Sequence, residues 1–188
     1  MLTASNLGKR YGARWLFRGL EFDLGAGDCL AILGQNGSGK STLLKTLASL
    51  VPPTEGKVTA PGNLGYSALD MAVYPALTAA EHLELTADLR GCEPRVDELL
   101  GRVGLQSAKD QQAHEFSTGM KARLKLAIAI QAKPEVLLLD EPGAGLDETG
   151  RKLIEEVVAG QLKTGAVILA TNDPLERRFA TLELEVGK

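Results

Sequence analysis

Apolar residues come along this 188-residue chain in short runs separated by stretches of helical period. That alternation predicts an α/β domain built on a largely parallel sheet. Three runs read as buried strands. Residues 30–33 open onto a glycine loop, residues 136–139 end in Asp140-Glu141, and residues 166–170 end in Thr171-Asn172-Asp173. In doubly wound sheets the working crevice lies beyond the carboxyl ends of the strands, so these three polar termini are expected to converge. Near the N-terminus Leu20, Phe22 and Leu24 alternate with Glu21 and Asp23, which predicts a half-buried antiparallel strand and hence a mixed sheet. Residues 78–90 carry Leu83, Leu85 and Leu89 at helical spacing, and residues 96–103 carry Leu99 and Leu100. Gly91 and Pro94 separate these two helices and Gly104 stops the second, giving a helical insert. The prolines and glycines of residues 52–65 predict a tight connection between strands.

Charge narrows the function classes. Lys and Arg number 21 against 24 Asp and Glu, a net charge of -3, so the chain lacks the basic field that nucleic-acid binding requires. No apolar run approaches the roughly 20 residues of a membrane span. The first five residues lack the basic start and apolar core of a secretory signal, so a cytoplasmic chain is expected. Cys29 and Cys92 show neither metal-ligand spacing nor a disulfide framework, which suits a reducing compartment. The length fits one domain, residues 1–188.

The strongest local signal follows the first buried strand. Gly34-Gln35-Asn36-Gly37-Ser38-Gly39-Lys40-Ser41 fits GxxxxGK[ST] completely, with an apolar strand before it and a helical pattern after it. Glycines let successive backbone N–H groups turn inward as an anion nest, and the next helix points its positive end at the phosphates. Lys40 would neutralise the β and γ phosphates, and Ser41 would coordinate Mg2+, a hard cation that takes oxygen ligands; Thr42 completes the nucleotide-binding set. Asp140 and Glu141, delivered side by side at a strand end, need different jobs. Asp140 suits the metal, and Glu141 can polarise the water that attacks the γ-phosphate. Without the phosphate loop the same pair would read as an acidic turn capped by Pro142.

With these residues in place the chain resembles the ATP-binding subunits of ABC transporters from Tyr11 to about Thr171. Phe116-Ser117-Thr118-Gly119-Met120 resembles the signature usually written LSGGQ, and residues 121–130 read as the helix that follows it. The resemblance implies a P-loop NTPase core with an N-terminal antiparallel β part and a helical insert of about residues 78–130 carrying the signature. It also implies that Ser117 and Gly119 hold the γ-phosphate of a second ATP-binding subunit, a homo- or heterodimer partner. Ser117 is equally readable as a helix N-cap. Gly143-Ala144-Gly145-Leu146-Asp147 resembles the D-loop, placing Asp147 across the dimer interface, and it too can cap a helix. Tyr11 falls where the family stacks an aromatic ring on adenine, although an ordinary packed tyrosine would look the same.

Three positions depart from the family pattern. Asn172 stands where a switch histidine is usual, Leu69 where a metal-contacting glutamine is usual, and Thr118 where the signature has its second glycine. Asp70 is a candidate substitute for the glutamine. His82 and His114 read as surface or interface residues rather than catalysts. Binding is therefore expected to be intact and hydrolysis weakened. The resemblance implies a transport ATPase that binds ATP and Mg2+, dimerises, and drives a separate transmembrane permease from the inner face of the cell membrane. Loop 71–75 is a candidate docking surface for the permease, or else packs internally. The alternative is a dimerisation switch regulated by ATP with little hydrolysis. A DNA- or ribosome-acting ATPase of this family would be expected to carry long inserts or tandem domains, neither of which is seen here.

Overall fold

The computed structural model describes residues 1–187. The chain opens with a hairpin of β1 (Leu2–Tyr11) and β2 (Arg14–Leu24), followed by β3 (Cys29–Leu33) and helix α1 (Lys40–Leu47). β4 (Glu55–Thr59) and β5 (Leu64–Ala68) lead into helices α2 (Ala79–Arg90), α3 (Val96–Arg102) and α4 (Thr118–Ile130). The chain then alternates through β6 (Val136–Asp140), α5 (Glu148–Gln161), β7 (Ala166–Ala170), α6 (Pro174–Arg177) and β8 (Leu182–Glu185).

Two sheets result. β2, β1 and β4 form an antiparallel sheet with β1 in the middle, and the other five strands form a parallel sheet in the order β5-β6-β7-β3-β8. Every residue of β6 and β7 is buried, as a parallel strand covered on both faces requires. Successive side chains serve opposite cores. Leu30, Ile32, Val136, Leu138 and Ile168 pack with Leu43, Leu44 and Leu47 of α1 and with the antiparallel sheet. Leu137, Leu139, Val167 and Leu169 pack on the other side against Leu83, Leu99, Leu124 and Ile154 of the helices. Each such buried leucine contributes about 2 kcal/mol.

The helical boundaries follow local chemistry. Thr78 caps α2 by accepting the Glu81 N–H while the Glu81 side chain accepts the Thr78 N–H, and Gly91 ends the helix in a left-handed conformation, φ 62°. Residues 52–65 are not a bare connection. They contain β4, whose pairing with β1 overrides the turn-forming composition. His82 is not a surface residue, because it lies on the buried face of α2 and is only 3% exposed. Its ring is used inside the fold. Nε2 accepts the Tyr74 N–H at 2.9 Å, so Nδ1 carries the proton and donates to the Thr78 carbonyl at 2.7 Å. His114 is exposed, as expected. Cys29 is buried in β3, and burial pushes its thiol up to about 12. Among the described residues no helix is long and apolar enough to cross a membrane.

Candidate functional site

The loop from β3 to α1 is shaped by what glycine permits. Gly34 sits at φ 147°, and a Cβ there would meet the Ser38 hydroxyl and the Val186 carbonyl, each at 2.6 Å. The chain then enters α1 through Gly39, which supplies no side-chain cap, and no acidic residue lies in the first turn. Helices α2, α4 and α5 are capped by Thr78, Ser117 and Asp147. The first amides of α1 are therefore left for an external acceptor, and the helix dipole makes that acceptor an anion.

Lys40, only 5% exposed, folds its ammonium back onto the loop, donating to the Gly34 carbonyl at 2.8 Å and to the Gln35 carbonyl at 3.4 Å. The same nitrogen lies 3.7 Å from Glu141 Oε1. Asp140, at the end of β6, is buried, and burial raises its carboxyl above the usual range. The hydrogen bond from Ser41 opposes that rise, and Glu141 adds to it. Two oxygen donors, Ser41 and Asp140, thus stand together with a carboxylate short of positive charge. That donor set fits Mg2+. Among the described residues no cluster of three or more His, Cys, Asp or Glu is suited to a metal, so phosphate oxygens and water would supply the remaining ligands.

Glu141 has φ 47°, an uncommon backbone conformation for a side chain of this size and one that costs on the order of 1 kcal/mol or more. Its N–H donates to the Ala170 carbonyl of β7. Together with Asn36, Thr171 and Asn172 it lines an open cleft above the sheet. Asn172 also borders a neighbouring cleft with Gly34 and Gln35. The three polar strand ends do converge there. Asp70 is not a free carboxylate: it forms an ion pair with Lys45 of α1 at 2.5 Å, and its charge adds to the rise at Asp140.

A second cluster forms at the start of α4. Ser117 is exposed and caps the helix by accepting the Met120 N–H at 3.2 Å, with Gly119 beside it. Asp147 caps α5 through the Gly150 N–H at 2.8 Å and pairs with Arg123 of α4 at 3.2 Å; the Gly150 hydrogen bond first, and Arg123 after it, hold its carboxyl below the usual range. Both N-cap readings are realised, and the ion pair joins the Ser117 helix to the Asp147 loop. Tyr11 is not an ordinary packed tyrosine. The residue is 55% exposed, with Lys9 Nζ 5.1 Å from its ring centroid.

One residue of the site has no signal in the sequence. Glu176 of α6 is buried, and its Oε1 accepts the Gly143 N–H at 2.8 Å, two residues beyond Glu141. Burial raises its carboxyl, with hydrogen bonds from Thr171 and Gly143 opposing. A glutamate four residues after Asn172 in a polar stretch reads as solvated surface, and only the tertiary fold buries it.

The ABC transporter family model matches residues 17–144 of this chain. The chain belongs to the ABC transporter family. Among its relatives, the linearmycin resistance ATP-binding protein LnrL of Bacillus subtilis is 34% identical over 193 residues, covering 94% of this chain and 62% of LnrL. This ABC chain thus spans about three fifths of that relative's length. The cytochrome c biogenesis ATP-binding export protein CcmA of Hyphomonas neptunium is also 34% identical, over 91% of this chain and 89% of its own. The ABC fold is shared with the dimeric post-hydrolysis structure of the ATP-binding cassette MJ0796 bound to ADP and Pi. That match has a TM-score of 0.89 at 22% identity, over 99% of this chain and 94% of that one.

Proposed function

We propose that this chain binds Mg-ATP, dimerises around it, and hydrolyses it to drive a separate membrane permease from the cytoplasmic face. The observation that carries the reading is the meeting of Lys40, Ser41, Asp140 and Glu141 at the mouth of an uncapped helix. An incoming triphosphate would take the amides of Gly37, Ser38, Gly39 and the first turn of α1 through Thr42, with Gln35 and Asn36 along the outer side of the loop. Lys40 would leave the Gly34 and Gln35 carbonyls for the β and γ phosphates, a charge-assisted exchange. Ser41 and Asp140 would hold Mg2+, which when bound neutralises phosphate charge and orients the terminal phosphoryl group. Freed of Lys40, Glu141 would orient and deprotonate the attacking water, with Asn172 as a neutral hydrogen-bonding neighbour. Tyr11, already exposed, would stack on the adenine.

Ser117 and Gly119 lie on the exposed start of α4 and would serve the nucleotide of a second subunit, with Asp147 across the same interface. A dimeric relative in fold and the Arg123–Asp147 tie support that arrangement. On the proposed permease side, Tyr74 of the loop between β5 and α2 is exposed while Val73 packs against the core, so the loop fits both of its expected roles in part. The net charge of -3 argues against nucleic acid as partner.

A second reading, a dimerisation switch with slow hydrolysis, is favoured by Asn172, which cannot carry charge, and by Leu69, which is 53% exposed and offers no polar group. Mg-ATP turnover measured beside nucleotide-dependent mass decides between them. Binding and dimerisation with turnover support the motor, binding and dimerisation alone support the switch, and no binding refutes both.

A further inference from the structure

β5 is an outer strand of the parallel sheet, so the backbone groups on its open side have no strand partner. Two cations cover that edge. Arg90 of α2 donates Nη1 to the Leu64 carbonyl at 2.5 Å, and Lys125 of α4 donates Nζ to the carbonyls of Ala68 at 3.3 Å and Leu69 at 2.6 Å. Ala68 lies opposite Asp140 in the β5–β6 register. The grip of Lys125 therefore falls one strand away from Asp140, at the end of β6. The following residue, Asp70, is paired with Lys45 of α1. Within three residues of the strand end, the chain is tied to α4 by one lysine and to α1 by another.

The far end of the same loop is fastened by other groups. His82 accepts the Tyr74 N–H, and the amides of Ala113 and His114 donate to the carbonyls of Leu77 and Pro75. At the near end the exposed Leu69 side chain supplies no polar tie, and Lys125 reaches the backbone instead. The ammonium is partly buried, which lowers its pKa, while the charge of Asp70 opposes that.

We propose that Lys125 is a positioning residue for the nucleotide site: by pinning the carbonyls of Ala68 and Leu69 to α4 it fixes the loop joining the sheet to α2–α4, and through it the placing of Asp70 and Asp140. This rests on the reading of Ser41 and Asp140 as the metal and nucleotide site. Lys125 acts through backbone and touches no nucleotide.

The test compares the whole chain with Lys125→Met, which keeps the apolar stem but has no donor, and with Lys125→Arg, which restores donors. Amide hydrogen exchange across residues 69–75 and steady-state Mg-ATP turnover are read on each. Lys125→Met is expected to speed exchange at 69–71 by about tenfold or more, the effect of losing a charge-assisted hydrogen bond. Exchange in β3 and β7 stays unchanged, kcat falls several-fold with KM within about twofold, and Lys125→Arg returns both readouts toward wild type. Unchanged exchange at 69–71 overturns the tie. Faster exchange there with unchanged kcat overturns the positioning role, as does acceleration spread equally through the core strands. A wild-type chain that binds no Mg-ATP refutes the site reading, while the exchange comparison still decides whether Lys125 holds the loop.

Discussion

Replacing Glu176 separates two jobs that a buried carboxylate does at this site. It holds the turn after Glu141 by accepting the Gly143 N–H at 2.8 Å, and it places an acid in a site that is 9% exposed. Glu176→Gln keeps the acceptor and nearly the same volume but removes the acid. Glu176→Ala removes the acceptor and leaves the Gly143 N–H buried without a partner, which costs about 1–3 kcal/mol, with lost packing on top. A total of about 2–4 kcal/mol lowers the melting temperature of a domain this size by on the order of 5–12 °C. The pH dependence has a definite sign. Burial raises the folded-state pKa above the ordinary 4.5, so the folded chain favours the protonated form. The stability from this group is fully present below about pH 4.5 and is lost as pH rises through the folded value. Asp140 is raised for the same first cause, so the informative quantity is the difference between wild type and Glu176→Gln. Thermal melts from about pH 4 to about pH 8 should show the wild type losing stability relative to Glu176→Gln as pH rises, with Glu176→Ala the least stable throughout. Parallel pH profiles for wild type and Glu176→Gln would show that the buried acid does not set the pH dependence, and an Ala variant as stable as wild type would show that Glu176 does not hold the Gly143 turn.

Lys40→Ala removes the one cation in the phosphate loop and should weaken ATP binding by about tenfold to a hundredfold in a fluorescence titration with a nucleotide analogue, since each charge-assisted contact contributes about 1.5–3 kcal/mol. Ser117→Ala deletes the α4 cap and should cost about 1 kcal/mol in urea denaturation of the nucleotide-free chain; a larger loss confined to the ATP-bound dimer would measure its second role. Gly65→Ala places a Cβ 2.4 Å from the Ala129 carbonyl, forcing α4 away from β5. It should destabilise by about 1–3 kcal/mol in the same assay.

Much of the architecture was legible because the parallel strands are short, apolar and bounded by polar ends. The runs at residues 30–33 and 136–139 and at Ala166–Ala170 fall within β3, β6 and β7. The helix stops at Gly91 and Gly104 were legible for the same local reason, as both residues take positive φ. β4 was hidden because its residues, Glu55 to Thr59, form a strand only when β1 offers an edge. At the site, the phosphate loop and the acidic pair are contiguous motifs and could be read directly. The contacts of Glu176, Lys125 and Asp70 join residues 25 to 57 positions apart, and no local pattern announces them. His82 shows the same limit, since its helix face was readable but the Tyr74 amide that its ring accepts was not.

In the proposed mechanism Glu141 activates water for hydrolysis of ATP held by Lys40, Ser41 and Asp140 in a dimer. The most direct test is single-turnover Mg-ATP hydrolysis by wild type and Glu141→Gln, with molecular mass followed in the same samples. Wild type should turn over and return to monomer, while Glu141→Gln should bind ATP, remain dimeric and hydrolyse about a hundredfold or more slowly. Equal hydrolysis by the two proteins would remove Glu141 from that role.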